Sequence, residues 1–397
     1  MKVEQVYSIL NTIVAETLGK SDIVAEDLHN VVDVGKEITA TFELGDNNFD
    51  NYVKKLINHI GKVVFVNRPY TSRAPSVMMD GWEYGSILEK IDAELPESEA
   101  TEDWRLVNGS EYKQDIFKGP KGVKAKFWNK RVTHTVSISI TEKQVKESFS
   151  SATQLNAFFS MIETMIRNRL TLDRDNLIKR TVSNFVGLTL LSEVSDGTTI
   201  SGRTGVRARN LLYEYNTLNP SVTLTASNCL SSLDFLKFAS KQMALASDYL
   251  SEYSTLFNAG QRERFTDKAN QKIIMLSEFA KSADVYLQSD TFHNEFTKFP
   301  TSETVSYWQG SGTTFSFDKN SSIHINVDDG EGGNGQEVVL SGLLCVMFDR
   351  NALGVSCPDS KVTSHYNGIG DFHNFWYKEF AGYFNDANEN GIIFYVA

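Results

Sequence analysis

From Thr141 to Val186 the chain contains neither proline nor glycine, and the first residue to break that run is Gly187. Within it Val145, Phe149, Ala152, Leu155, Phe159, Ile162, Ile166 and Leu170 recur at three- and four-residue spacing, and Leu177 and Ile178 continue the stripe. That period marks the buried face of a helix. Thr141-x-x-Gln144 supplies a capping box at its start. Carried to about Val182, the helix is about 60 Å long, against a radius of gyration of about 21 Å for a compact chain of this length. Such a helix must act as a spine. The serines at 148, 150 and 151 are where it could break.

Shorter elements surround it. Val3, Val6, Tyr7, Leu10, Ile13, Val14 and Leu18 form an amphipathic helix that stops at Gly19. Phe49, Val53, Leu56, Ile57 and Ile60 form a second, closed by Gly61, and residues 62–66 read as a strand. Thr133–Ile140 is another strand. After residue 201 helices and strands alternate: Leu233–Leu250 and Leu276–Leu287 as helices, Gln271–Leu276 and Ser322–Val327 as strands. Val338–Phe348 is a continuous apolar run, read as one buried strand. Phe372, Phe375, Trp376, Tyr377, Phe380, Tyr383 and Phe384 crowd one segment that reads as local core, each worth about 1.5–3 kcal/mol when buried.

Composition removes several function classes. No stretch has the ~18 apolar residues of a membrane helix, and the N-terminus lacks the pattern of a signal peptide, so a cytoplasmic origin and no membrane are expected. Cys229, Cys345 and Cys357 are too few and too dispersed for a disulfide framework or a zinc ribbon. A formal net charge of -11 argues against a protein that reads nucleic-acid sequence, although not against one that encloses DNA.

Residues 83–131 separate charge by sign. Glu83, Glu89, Asp92, Glu94, Glu97, Glu99, Glu102 and Asp103 come first, and Lys113, Lys118, Lys121, Lys124, Lys126, Lys130 and Arg131 follow. Two solvated faces would look the same. A projecting two-armed loop that pairs with neighbouring copies is the sharper reading, since opposite patches suit head-to-tail contacts. Its contact residues are then Glu97, Glu99, Glu102 and Asp103 on the acidic arm, with Lys118, Lys121, Lys124 and Lys126 on the basic arm.

Candidate chemistry is thin. Gly330-x-Gly332-x-x-Gly335 has the spacing of a dinucleotide fingerprint, but Gln336–Leu340 continues as strand where a phosphate site needs a helix N-terminus. A hairpin tip fits better. Asp328, Asp329 and Glu331 lack EF-hand spacing and read as a solvated turn. His293-Asn294-Glu295, His365 and His373 have no ligands at metal spacing, and no nucleophile elbow or phosphate loop is present. No catalytic, metal or cofactor site is expected.

Both ends of the chain resemble the major capsid proteins of tailed bacteriophages. The likeness rests on Val32–Lys36, Asn48–Asp50, Ile60–Val66, Met347–Val355, Phe375–Lys378, Tyr383–Asp386 and Glu389–Val396. Asn367-Gly368-Ile369-Gly370 departs from that pattern, where related proteins often have proline after the asparagine.

The resemblance implies an α+β architecture, the Hong Kong 97-like fold. It implies an N-terminal arm over about residues 1–60 and a peripheral domain over 61–199, with an extended loop within about 75–135 and the spine helix at about 141–182. An axial domain would occupy 200–335, and 336–397 would complete the peripheral domain. The implied function is a structural one: pentamers and hexamers of an icosahedral shell, built in the host bacterial cytoplasm around double-stranded DNA that is held without sequence-specific binding. A portal and a separate scaffolding protein are the implied partners. Two alternatives stay open here, an encapsulin-like cellular compartment and a cytosolic α/β enzyme.

Overall fold

The computed structural model describes residues 11, 74–79, 88–96, 98, 122–141, 152–193, 203–290, 302–327 and 335–397. Apart from Asn11, the expected helices at 3–18 and 49–60, the strand at 62–66, residues 142–151 with the serines, and the Asp328–Gly332 turn lie outside these residues, and Thr141 of the expected capping box ends a strand.

In chain order come strands β1 (Leu88–Asp92), β2 (Lys124–Trp128) and β3 (Arg131–Thr141), helix α1 (Ala152–Glu193) and strand β4 (Ala208–Asn210). Helices α2 (Leu211–Leu218) and α3 (Leu233–Ser251), strand β5 (Gln271–Leu276) and helix α4 (Ser277–Asp290) follow. Then come β6 (Glu303–Val305), β7 (Trp308–Gln309), β8 (Phe315–Ser316), β9 (Ser322–Asn326) and β10 (Glu337–Ser341). The last strands are β11 (Leu343–Asp349), β12 (Leu353–Asn367), β13 (Phe372–Asn385) and β14 (Gly391–Tyr395). The chain divides into two compact units, one of Met1–Ser72, Arg131–Leu177 and Ser356–Gly382, the other of Arg73–Lys130, Ile178–Val355 and Tyr383–Ala397.

In the first unit β12, β13 and β3 form a three-stranded sheet in that order. β3 runs antiparallel to β13 with Phe375 opposite Ile138 and Glu379 opposite His134. Alternation divides the aromatic segment, because successive side chains point to opposite faces. Phe375 and Tyr377 are buried, whereas Phe372, Trp376 and Phe380 are half-buried on the other face. The helix here buries one stripe, Ile162, Ile166 and Leu170, and leaves Met165, Arg167 and Arg169 in water. At the Asn367 turn, the Asn367 side-chain oxygen accepts hydrogen bonds from the Ile369 N–H at 3.0 Å and the Gly370 N–H at 3.2 Å. This turn needs no proline.

In the second unit the sheet order is β4-β14-β11-β5-β6. β11 is antiparallel to both β14 and β5, while β4 and β6 are parallel to their neighbours. β11 and β14 are buried along their whole length. Helices α2, α3 and α4 share a core with this sheet, built from residues such as Leu211, Phe235, Met243, Ile273, Phe279 and Met347. Asn210 caps α2 by accepting from the Tyr213 N–H, and Ser232 caps α3 by accepting from the Phe235 N–H.

Two sequence expectations change. The spine helix does not end near Val182; it continues through Gly187 to Glu193. From Ile178 to Leu190 it is buried round most of its circumference, with Lys179, Thr181, Ser183 and Thr189 included. A helix enclosed this way loses the polar face that periodicity needs. Gly187 is there for close approach, since a Cβ would stand 2.6 Å from Val327 Cγ2 and 3.0 Å from Ile325 Cγ2.

The run Val338–Phe348 is two strands, not one. Gly342, at φ +74, separates them, and a Cβ there would meet the Val396 carbonyl oxygen at 2.0 Å. β10 therefore pairs with β9 in a ribbon of its own while β11 enters the central sheet.

Arg174 of α1 and Glu379 of β13 form an ion pair with side chains 8% and 2% exposed. Losing one member of such a buried pair costs about 3–5 kcal/mol, because a charge is left alone in the interior. Arg174→Met is expected to lose that much in urea unfolding, and Arg174→Met with Glu379→Met to recover most of it.

Candidate functional site

β1 and β2 form an antiparallel ribbon in which Lys90 stands opposite Lys126, and Ile91 opposite Ala125. Strand alternation sorts the ribbon into two faces. Leu88, Lys90, Asp92, Lys126 and Trp128 are half-buried on one; Glu89, Ile91, Ala125 and Phe127 are exposed on the other.

The half-buried face is fastened by charge. Both lysines bind Asp386, Lys90 at 2.8 Å and Lys126 at 2.7 Å. Lys90 also binds Glu389. Asp92 accepts from Arg262 and from Arg264, and Arg264 reaches the two Glu389 oxygens at 2.9 and 2.8 Å. Trp128 adds one ring contact, 5.4 Å from Phe384.

The acceptors are held by a set of short turns. The Asp386 N–H donates to the Ala352 carbonyl at 2.6 Å, the Ala352 N–H to the Asp349 carbonyl at 2.8 Å, and the Asp349 N–H to the Asn390 carbonyl at 2.9 Å. Asp349 accepts further from the Thr266 hydroxyl at 2.8 Å. Asn258 fixes the arginine loop, accepting from the Arg262 N–H and donating to the Arg262 carbonyl, both at 2.8 Å. These turns bring together the segments Met347–Val355, Tyr383–Asp386 and Glu389–Val396.

Asp386 and Glu389 are both withdrawn from water, with side chains 3% and 7% exposed. Burial pushes the Asp386 carboxyl up, but the charges of Lys90 and Lys126 and their hydrogen bonds outweigh it and hold it below 3.8. Burial also pushes Glu389 up. Lys90 and Arg264 offset only part of that, the Asp349 charge adds to it, and the carboxyl stays above 4.5.

Of the eight loop residues expected to contact a neighbour, Lys124 and Lys126 are among the described residues; Glu97, Glu99, Glu102, Asp103, Lys118 and Lys121 lie outside them. Lys124 is exposed and stands 3.6 Å from Glu94 within the chain. An exposed pair of this kind contributes little. Lys126 is committed to its own Asp386. Sequence reading missed Lys90, Asp92, Arg262, Arg264, Asp386 and Glu389 as one cluster. The signal available was that Asp386 and Glu389 fall in segments carrying the family likeness.

Two cavities border this unit. One, of about 580 Å³, is lined by Asp92, Glu94, Leu95, Tyr253, Arg262 and Phe265 among others. The other, of about 670 Å³, includes Ser76, Asp248, Lys268 and Glu303. Its carboxylates are engaged, Glu303 by the Ser76 N–H and hydroxyl and Asp248 by Lys268 at 2.7 Å. Among the described residues no group of three His, Cys, Asp or Glu could hold a metal, and no helix is long and apolar enough to cross a membrane.

A family model of Phi29-like phage major capsid proteins matches residues 10–395. The chain belongs to that family. No curated protein matches it. A chain in the capsid structure of Staphylococcus phage Andhra shares the fold at 11% identity, with a TM-score of 0.50 over 83% of this chain and 84% of that one. A chain in a structure of the head fiber and inner core protein gp22 of native bacteriophage P68 is 8% identical, with a TM-score of 0.47 over 84% and 86%. A Microbacterium phage Oxtober96 chain is 10% identical, with a TM-score of 0.42 over 84% and 94%. This phage major capsid protein is thus a structural protein of the virion, whose copies self-assemble into a shell. Neither alternative, the cellular compartment nor the enzyme, gains support from these matches.

The cluster of this capsid protein has a defined pH dependence. A carboxyl with a lowered pKa stabilises the fold above its unfolded value and loses that contribution as pH falls through its folded value. For Asp386 the contribution is complete at neutral pH and lost below 3.8. Glu389 has the opposite sign: its ionised form opposes folding, and that opposition is relieved as pH falls through a value above 4.5. Asp386→Asn is expected to lower stability at about pH 7, with the gap to wild type closing as pH falls through the lowered pKa of Asp386. Glu389→Gln should not lower it at about pH 7. Urea unfolding followed by tryptophan fluorescence reads both.

Proposed function

We propose that copies of this protein form the pentamers and hexamers of an icosahedral shell that encloses double-stranded DNA, and that the β1–β2 ribbon begins an extended loop which lies over a neighbouring subunit. The observation that supports this is the ribbon's asymmetry. One face is fastened to its own subunit by buried ion pairs, and the other leaves Ile91 66% and Phe127 63% exposed. A two-stranded ribbon with an apolar face in water is marginal alone and gains by being covered.

The proposed division keeps the arm at 1–60, the loop at 75–135, the spine in the peripheral domain, the axial domain at 200–335 and the return at 336–397, following the Hong Kong 97-like plan. Acidic residues Glu97, Glu99, Glu102 and Asp103 of one copy would meet Lys118, Lys121 and Lys124 of the next. A net charge of -11 suits a wall that surrounds DNA without gripping it. A portal and a separate scaffolding protein would complete assembly in the host cytoplasm. Many weak contacts of this kind give a shell more durable than any one interface.

Electron microscopy of the protein, expressed with the genes that flank it, tests this reading: closed shells support it, and a uniform small oligomer refutes it. Lys118→Gln, Lys121→Gln and Lys124→Gln together are expected to impair shell formation and to leave the monomer's circular dichroism unchanged. Lys126 is kept in that variant because it holds Asp386. Shells at the usual yield and salt tolerance would refute the loop pairing.

A further inference from the structure

Among the stretches of the second unit that hold large apolar side chains in water, two are joined through Asp92. On the ribbon and its ends, Ile91, Leu95, Val123 and Phe127 are between 52% and 66% exposed. On the loop between α3 and β5, Tyr253 is 62%, Leu256 59% and Phe265 42% exposed. The second stretch is built rather than loose. Ser254 and Arg264 exchange backbone hydrogen bonds at 3.0 and 3.1 Å, and the Tyr253 and Phe265 rings lie 4.6 Å apart. From the same loop Arg262 and Arg264 reach down to Asp92. Tyr253 and Phe265 form one wall of the cavity of about 580 Å³, and Leu95 lines it too.

We propose that this cavity wall is the seat for the apolar outer face of the β1–β2 ribbon of a second copy. The proposal rests on the capsid reading and names the receiving surface within it. Self-assembly makes a second copy the partner at hand. The two surfaces are different in kind, an apolar ribbon face and a cavity with one aromatic wall, so they join copies head to tail, an arrangement that forms a ring when its rotation closes. An apolar patch rimmed by polar residues is the usual mark of such a site.

The test uses the full chain in two variants, Ile91→Ser with Phe127→Ser in the ribbon and Tyr253→Ser with Phe265→Ser in the wall. All four residues are exposed in the monomer, so circular dichroism should match wild type. Each variant alone is expected to need about a hundredfold more protein to assemble, or to form no shells. Mixed in equal amounts, they have one intact ribbon and one intact wall between them. Native mass spectrometry should then show a dimer of one of each that grows no further. Shells from either variant at the wild-type concentration, or no mixed dimer when both fail alone, would overturn the proposal. Wild type is assembled alongside, and its failure to form shells would instead refute the capsid reading.

Discussion

Asp386 and Glu389 sit almost out of water, and most of what surrounds them serves to make that tolerable. A buried carboxylate is costly unless cations and hydrogen bonds replace its hydration. Here the cations come from two directions, Lys90 and Lys126 from the ribbon and Arg264 from the α3–β5 loop. The ribbon is therefore fastened by charge, with the Trp128 ring set against Phe384 beside it. That choice has a consequence for specificity. An apolar fastening would tolerate sliding along the strands, whereas Lys90 and Lys126 must each face the same Asp386, which sets the ribbon's register. The same geometry divides the ribbon's faces, since the residues between the cations point outward and remain available to another copy.

The spine helix shows a different constraint. Along its first part it is an ordinary amphipathic helix, with Ile162, Ile166 and Leu170 inward and arginines outward. Further on it is enclosed, and Lys179 and Thr189 are accommodated individually. Lys179 lies over the Tyr307 ring with its ammonium 3.6 Å from the centroid, and the Thr189 hydroxyl donates to the Phe185 carbonyl at 2.9 Å. Gly187 removes the one side chain that would hold the β9 region away.

Assembly asks little of catalytic chemistry and much of surfaces. The carboxylates and cations of the cluster are paired with each other, so the outer face of the ribbon presents chiefly shape and apolar area. In a shell each contact can be weak because many act together. Moderate exposed apolar strips then suit the purpose better than one large sticky face, which would drive the subunit into disordered aggregates.

How much of this was readable beforehand follows from the range of the interactions. Local period was enough for the α3 and α4 helices and for strands β3, β5 and β9, and the split charge of residues 83–131 was visible as composition. The ends of the chain carried the family likeness. Gly187 and Gly342 were misjudged for one reason: a glycine's meaning depends on what approaches it, and Val327 and the Val396 carbonyl come from distant positions. The aromatic segment read as one cluster, and pleating then sent its rings to two faces. Lys126 read as a contact to a neighbouring copy, and folding instead brings Asp386 of its own chain to it across 260 residues of sequence. The sequence by itself determined helices α3 and α4, strands β3, β5 and β9, and the likeness to the family, since those depend on neighbours within a turn or a pleat. Only the tertiary structure decided which charges pair and which apolar faces stay open, because both are properties of residues that meet only when the chain is folded.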